Sequence, residues 1–227
     1  QLGFMVLEGK KVEVYNDMCS SDVPIAIPAM ETHGITPEMI NGLPPCTDTA
    51  AFKTLQQLNS PENVLIIHNA PFDLGMLQKE DFASQMRLID TLRCAKHLFD
   101  DEEAHRLQYF RYKLGLYKIE QEEAASLGIE VKAHDAIGDV LVLKLFLTEL
   151  RKRLAERFGE VNPIEKMIEL TLTPVFYSKP LKFGKYKGKT LIEIAETDKG
   201  YLSWMVGNME SLDEDMRYSI QTVLEQR

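Results

Sequence analysis

A histidine and an aspartate stand five residues apart in His134-Asp135-Ala136-Ile137-Gly138-Asp139, just ahead of a strongly apolar run. Five helical steps of about 100° leave such a pair roughly 140° apart around one helix. The two side chains therefore converge only if the histidine lies in the turn before a helix and the aspartate in its first turns. That placement suits a histidine that moves a proton beside an aspartate that holds a metal. By themselves the same residues read more simply as a capped helix start, with Asp135 as the cap and His134 in the preceding loop. A second candidate stretch is His68-Asn69-Ala70-Pro71-Phe72-Asp73, where a short apolar run meets a helix start. Open α/β sheets place ligands beyond the carboxyl ends of their strands, and this turn is such a place. Asp73 would sit in the first helical turn, where an acid is also favoured by the helix dipole alone, by ~0.3–1 kcal/mol. A third stretch, Thr32-His33-Gly34-Ile35-Thr36, reads alone as a tight capping turn between two short helices.

The elements that must position these residues follow from periodicity and punctuation. Residues 1–7 and 11–19 alternate as two strands of a hairpin turned at Glu8-Gly9-Lys10. A short helix runs from Pro28 toward His33 and stops at Gly34; Thr36-Pro37-Glu38 opens another, with Thr as N-cap. Ala51, Leu55 and Leu58, beside Phe52, have helical spacing. Val64-Leu65-Ile66-Ile67 is an unbroken apolar run, the mark of a strand buried on both faces. Pro71 can open a helix to about Gln78; a strand follows over 87–90 and helices over 91–99 and 107–114, the last closed by Gly115. Residues 100–103 form an acidic loop, and a short helix after Ile119 ends at Gly128. From about Ala136 to Arg157 one long helix is expected, apolar nearly all round in its first half and basic at its end.

A hairpin followed by alternating helices and strands implies an α/β sandwich: a mixed sheet with helices packed on it. Residues 159–174, with Pro163 and Pro174, read as a linker between a domain of residues 1–158 and a small, mainly helical module over 175–227. In that module residues 182–189 suggest a short hairpin, and helices are expected over 191–196, 200–208 and 213–225.

Composition narrows the classes. At 44% apolar, 227 residues can bury a full core in one ordinary domain plus a smaller piece. The sequence has no apolar run long enough to span a membrane and no signal-peptide pattern, which points to the cytoplasm. Cys19, Cys46 and Cys94 are odd in number, far apart in the chain and without a C-x-x-C pair, as expected of reduced thiols rather than a disulfide frame or a zinc site. A net charge of −9 argues against non-specific coating of duplex DNA, which relies on Lys and Arg. It leaves room for an enzyme that meets nucleic acid through bound cations and a local basic patch.

Taken in order, the three stretches resemble the DEDDh-type (DnaQ-like) 3′→5′ exonucleases. His68 to Asp73 matches the family's H-N-A-x-F-D motif, His134-x4-Asp139 its third motif with the histidine of the DEDDh branch, and His33-Gly34-Ile35-Thr36 its H-G-I-T loop. Ile89-Asp90-Thr91-Leu92 fits the usual continuation, and the likeness covers roughly residues 1–155. The resemblance implies a ribonuclease H-like fold and phosphodiester hydrolysis at the 3′ end of DNA with two divalent ions, Mg²⁺ or Mn²⁺. It assigns Asp73 and Asp139 as metal ligands and His134 as the general base, a task that suits a side chain with a reference pKa of about 6.5. His33, Gly34, Ile35, Thr36, Asn69 and Phe72 would hold the terminal nucleotide.

Residues 183–204 are similar to the C-terminal module of exonuclease X-like proteins. From residue 176 to 189, five lysines (179, 182, 185, 187 and 189) occur with no acid between them, interleaved with Phe176, Tyr177, Phe183 and Tyr186. Lys182, Lys185, Tyr186, Lys187 and Lys189 are thus candidates for nucleic-acid contact; a solvated lysine hairpin over a small aromatic core is the equal alternative.

One part of the family pattern is missing. Its first motif, a D-x-E on the first strand, belongs before the hairpin that begins at Gln1, and neither Glu8 nor Glu13 lies in such a context. With Asp73 and Asp139 alone, two negative charges would face four positive ones. The expectation is that this span binds metal weakly and is close to inactive, while a protein with the motif is an exonuclease. A ribonuclease of the same fold, a different two-metal phosphohydrolase, and a non-catalytic nucleic-acid-binding module are the alternatives. Replication or repair proteins would be further partners.

Overall fold

The computed structural model describes residues 1–129 and 136–225, so the expectation for His134 lies outside the described residues. The chain forms two compact units, Gln1–Thr171 and Leu172–Arg227.

In the first unit, β1 (Leu2–Glu8) and β2 (Lys11–Asp17) form the expected antiparallel hairpin, in register from Leu2 opposite Asp17 to Glu8 opposite Lys11. Gly9 takes the left-handed conformation the tight turn demands (φ 60°). Two short helices, α1 (Ile27–His33) and α2 (Pro37–Ile40), lead to α3 (Ala50–Gln57), capped by Thr49, whose side chain accepts from Phe52 N. Then come β3 (Val64–Ile67), α4 (Ala70–Lys79), β4 (Arg87–Asp90) and α5 (Thr91–Leu98), with β3 and β4 parallel. Next are α6 (Leu107–Lys113), α7 (Glu120–Ser126), the long α8 (Ala136–Phe158) and α9 (Pro163–Leu172).

Several expectations change here. Among the described residues the strands form two separate two-stranded sheets, one antiparallel and one parallel, in place of one mixed sheet. Accordingly β3, expected to be buried on both faces, is half-buried along its length. The first half of α8 is less enclosed than its composition suggests. Its buried residues Gly138, Val142, Phe146, Leu150 and Leu154 form one stripe at four-residue spacing, with Ile137 and Leu141 alongside. The stretch 159–174 is no open linker: it contains α9, whose Met167 and Leu170 are buried in the main core. Between Pro163 and Pro174, Ile164, Met167 and Ile168 have the spacing of one helix face. That core is centred on Phe99, Phe110 and Phe146, with Phe110 and Phe146 stacked at 4.6 Å. A second cluster, Phe52, Leu55 and Phe82, receives Leu2 and Phe4 of β1.

Cys19 and Cys46, far apart in sequence, are neighbours in space. Burial pushes the Cys46 thiol up to about 12, and the adjacent Cys19 adds to the effect. The cysteines are free. Among the described residues no helix is long and apolar enough to cross a membrane.

The second unit has its own core of Leu181, Leu191, Ile194, Leu202, Met205, Ile220 and Val223. Its helices are α10 (Leu191–Thr197), α11 (Lys199–Asn208) and α12 (Glu214–Glu225). A capping box between Thr190 and Glu193 starts α10. Residues 182–189 form turns rather than a β-hairpin, closed by Leu181 N on Lys189 O and Gly188 N on Leu181 O, both 2.8 Å.

Candidate active site

The parallel strands β3 and β4 end together, Ile67 opposite Asp90. From β3 the chain turns through His68 and Asn69 into α4; from β4 it passes directly into α5. Both turns are held by one side chain. The buried Asp90 carboxylate accepts from Asn69 N (3.0 Å) and Leu92 N (2.9 Å) on Oδ1, and from Ala70 N (3.0 Å) on Oδ2. Its own N–H donates to Thr171 Oγ1 at 2.9 Å. Asp90 is thus the N-cap of α5 and, at the same time, the acceptor for the orphan donors that open α4. This lets Asn69 sit in the left-handed region (φ 73°, ψ 57°), which asparagine tolerates better than most residues.

His68 is spent on the same junction. Its Nε2 donates to His105 O at 3.0 Å and its Nδ1 lies 2.9 Å from Thr91 Oγ1. Burial is the main effect on the imidazole and holds its pKa below the usual histidine value. The Thr91 hydroxyl in turn donates to Ile67 O at 3.1 Å, tying the end of β3 to the same junction.

On this frame Asn69, Phe72 and Asp73 come together on the first turn of α4, with the Phe72 ring 67% exposed. Asp73 reaches solvent, yet the protein crowded around it pushes its carboxyl up; its own backbone N–H pulls the other way, and the charge of Asp90 adds to the rise. A solvent-facing acid destabilised by its neighbours is one that a cation would relieve, and carboxylate oxygens suit hard divalent ions. Asp139 lies in the first turn of α8 and accepts from Gln108 Nε2 at 2.7 Å. Gln108 Oε1 in turn accepts from Arg111 (3.3 Å), and Arg111 Nε pairs with the buried Glu120 at 2.7 Å. Sequence reasoning missed both supports. Asp90 had a signal in its fit to the family continuation; Gln108 had none, because its contact spans 31 residues.

Gly3 of β1 packs against the start of α8, where an added Cβ would meet Ala136 Cβ at 3.1 Å and Ile137 N at 3.2 Å. The loop His33–Thr36 lies between α1 and α2. Gly34 caps α1 at φ 68°, and Ile35 N donates to His33 Nδ1 at 3.0 Å. Thr36 is the N-cap of α2 by position, without a side-chain cap bond. The acidic loop 100–103 also contains D-x-E spacing, but the carboxylates of its Asp100 and Glu102 are committed elsewhere: Glu102 to Tyr109 (2.5 Å) and Lys113 (3.1 Å), Asp100 to Arg157 (3.4 Å). Among the described residues no group of three or more His, Cys, Asp or Glu side chains converges on a metal position.

The family model for Exonuclease matches residues 1–146. The chain belongs to the exonuclease family. Its fold is that of the DEDDh-type, DnaQ-like members. A second model, Exodeoxyribonuclease X-like C-terminal, matches residues 181–210 of this exonuclease-family chain. Exodeoxyribonuclease 10 of Escherichia coli (strain K12) is 24% identical over 220 residues, which span 97% of this chain and 89% of that protein. A DNA polymerase III subunit epsilon-like protein of Rhodobacter capsulatus is 27% identical over 163 residues, 69% of this chain and 22% of its own length. Among solved structures, exonuclease X in complex with 5′ overhanging duplex DNA superposes with a TM-score of 0.54 at 18% identity, over 74% of this chain and 87% of that one, a likeness of fold.

Proposed function

We propose that this exonuclease-family protein is a metal-dependent enzyme that hydrolyses phosphodiesters from the 3′ end of DNA, single-stranded or frayed, in the cytoplasm. The observation that carries the reading is the pairing of family membership over residues 1–146 with two carboxylates, Asp73 and Asp139, each on the first turn of a helix. The two sheets would then be parts of a ribonuclease H-like mixed sheet. Asp73, Asp139 and the carboxylates of the family's D-x-E motif would hold two Mg²⁺ or Mn²⁺ ions. When bound, the ions supply electrostatic clamping of the attacking and leaving oxygens.

The remaining work falls to side chains. His134 takes a proton from the attacking water. Asp90 holds the turn that aims Asp73, and Gln108 orients Asp139. Phe72, with its exposed ring, stacks on the terminal base, and Asn69 with His33, Gly34, Ile35 and Thr36 confines the terminal nucleotide.

In protein that carries the D-x-E strand, release of nucleotides from 5′-labelled DNA should require Mg²⁺ or Mn²⁺ and fall about 100-fold or more on Asp139→Asn. Residues 1–227 by themselves should hydrolyse DNA only weakly. Ordinary rates from that span alone would overturn this account of the metals, and full activity in Asp139→Asn would move the chemistry elsewhere. Faster cleavage of a matched RNA would make the enzyme a ribonuclease, since that choice turns on sensing a 2′-OH.

A further inference from the structure

We propose that the second unit carries its own binding surface for single-stranded nucleic acid, made by Trp204 and the lysine loop of residues 182–189. Three rings run in sequence there. Tyr186 meets Tyr201 edge-on at 5.0 Å, and Tyr201 stacks on Trp204 at 5.9 Å and 26°. Trp204 ends the run with 52% of its surface exposed, an unusual position for the one tryptophan of the chain. The ammonium groups of Lys185 and Lys189 lie 4.8 Å and 5.6 Å from the Tyr186 ring centre, so both cations adjoin the first ring of the run. Lys182 and Lys187 are exposed on the same loop.

The loop is fixed to the aromatic run. Asp198 caps α11 through Tyr201 N (3.0 Å), accepts from the Tyr186 hydroxyl (2.7 Å) and pairs with Lys185 Nζ (3.1 Å). Gly184, at φ 72°, lies under the Tyr201 hydroxyl, which a Cβ at that position would meet at 2.5 Å. A solvated lysine hairpin has no need of either lock. A binding face does, because rigid rings and pre-placed cations lose less freedom when they take up a flexible ligand.

Charge selects the ligand. The chain carries −9, yet residues 172–227 contain eight acids and eight bases, so the whole excess lies in residues 1–171. Within the neutral unit the five lysines from 179 to 189 are uninterrupted by an acid. Lysines that follow a phosphate backbone beside a ring that stacks on bases fit a single strand; a duplex hides its base faces, and an acidic peptide has no use for the ring. This extends the proposed function to a second surface. Its test reads binding without hydrolysis, so either reading can fail alone.

Because Trp204 is the one tryptophan, its emission reports the contact directly. The full chain, in EDTA, is titrated with oligothymidylate of about 16 nucleotides. Saturable quenching is expected, weakening as salt rises. Replacing Lys182, Lys187 and Lys189 together with Gln should lower the log–log salt slope by about 2. With labelled oligonucleotide and anisotropy as the readout, Trp204→Ala should bind about fivefold or more weakly and Trp204→Phe should retain most affinity, provided circular dichroism matches the parent. If Trp204→Ala fails to fold, the lysine variant and Trp204→Phe still decide. Absence of quenching, unchanged affinity and slope in the variants, equal affinity for a blunt duplex, or equal competition by polyglutamate would each overturn the proposal.

Discussion

Asp73, the metal ligand proposed above, would trade stability for function. Its carboxyl is raised mainly because the surrounding protein disfavours its charge, with Asp90 adding repulsion. A folded-state value above the unfolded one means that the native form binds the proton more tightly. Asp73 therefore favours the fold at low pH, and that contribution is lost as the pH rises through the raised value. Asp73→Asn should melt at a higher temperature than the parent at neutral pH, and the difference should vanish once the pH falls below the ordinary aspartate range near 3.9. In protein that carries the D-x-E motif, added Mn²⁺ should raise the parent's melting temperature and shift the variant's less. Thermal scans across pH, with and without Mn²⁺, check both halves; a variant less stable at neutral pH would contradict the first.

Among the secondary elements, the decisive feature is the junction of two parallel strands with the helices that follow them. Asp90 accepts three backbone N–H donors from two helix starts while almost wholly buried. Removing it leaves those donors without their acceptor and releases Asn69 from its left-handed conformation. Hydrogen bonds to a charged group are worth ~1.5–3 kcal/mol each and are not additive, so Asp90→Ala should cost on the order of 3 kcal/mol or more in urea denaturation. The amide resonances of Asn69, Ala70 and Leu92 should move most. Loss of stability with those three amides unmoved would assign the effect to packing. The long helix α8 carries the second proposed carboxylate, Asp139, in its first turn. Its stripe from Val142 to Leu154 sits on the phenylalanine core, and its start packs closely against Gly3 of β1.

For the whole molecule, two units with two separate hydrophobic clusters predict two unfolding events rather than one. Scanning calorimetry should resolve two transitions. In protein that carries the D-x-E motif, Mn²⁺ should shift the one belonging to residues 1–171, because ligands stabilise only the unit that binds them. Oligothymidylate should shift the other. A single transition that responds to both ligands would show the units folding as one. The uneven charge, all of the −9 excess in the first unit, is consistent with a catalytic part that relies on cations and a second part able to approach phosphates without them.

The sequence by itself determined the order of strands and helices from β1 to α8, the family, and the candidate residues on two helix starts. These rest on local signals: alternation in β1 and β2, the proline at the opening of α4, and motif spacing from His68 to Asp73 and from His134 to Asp139. It missed α9 because flanking prolines outweighed a four-residue apolar period. It read a hairpin in residues 182–189, where Gly184 and Gly188 at positive φ close turns instead. Only the tertiary structure decided that Asp90 supports Asp73, that Gln108 supports Asp139, that Cys19 adjoins Cys46, and that Tyr186, Tyr201 and Trp204 form one run. Those relations join residues distant in the chain. Their cause is the packing of whole elements against each other, which leaves little trace in spacing or composition.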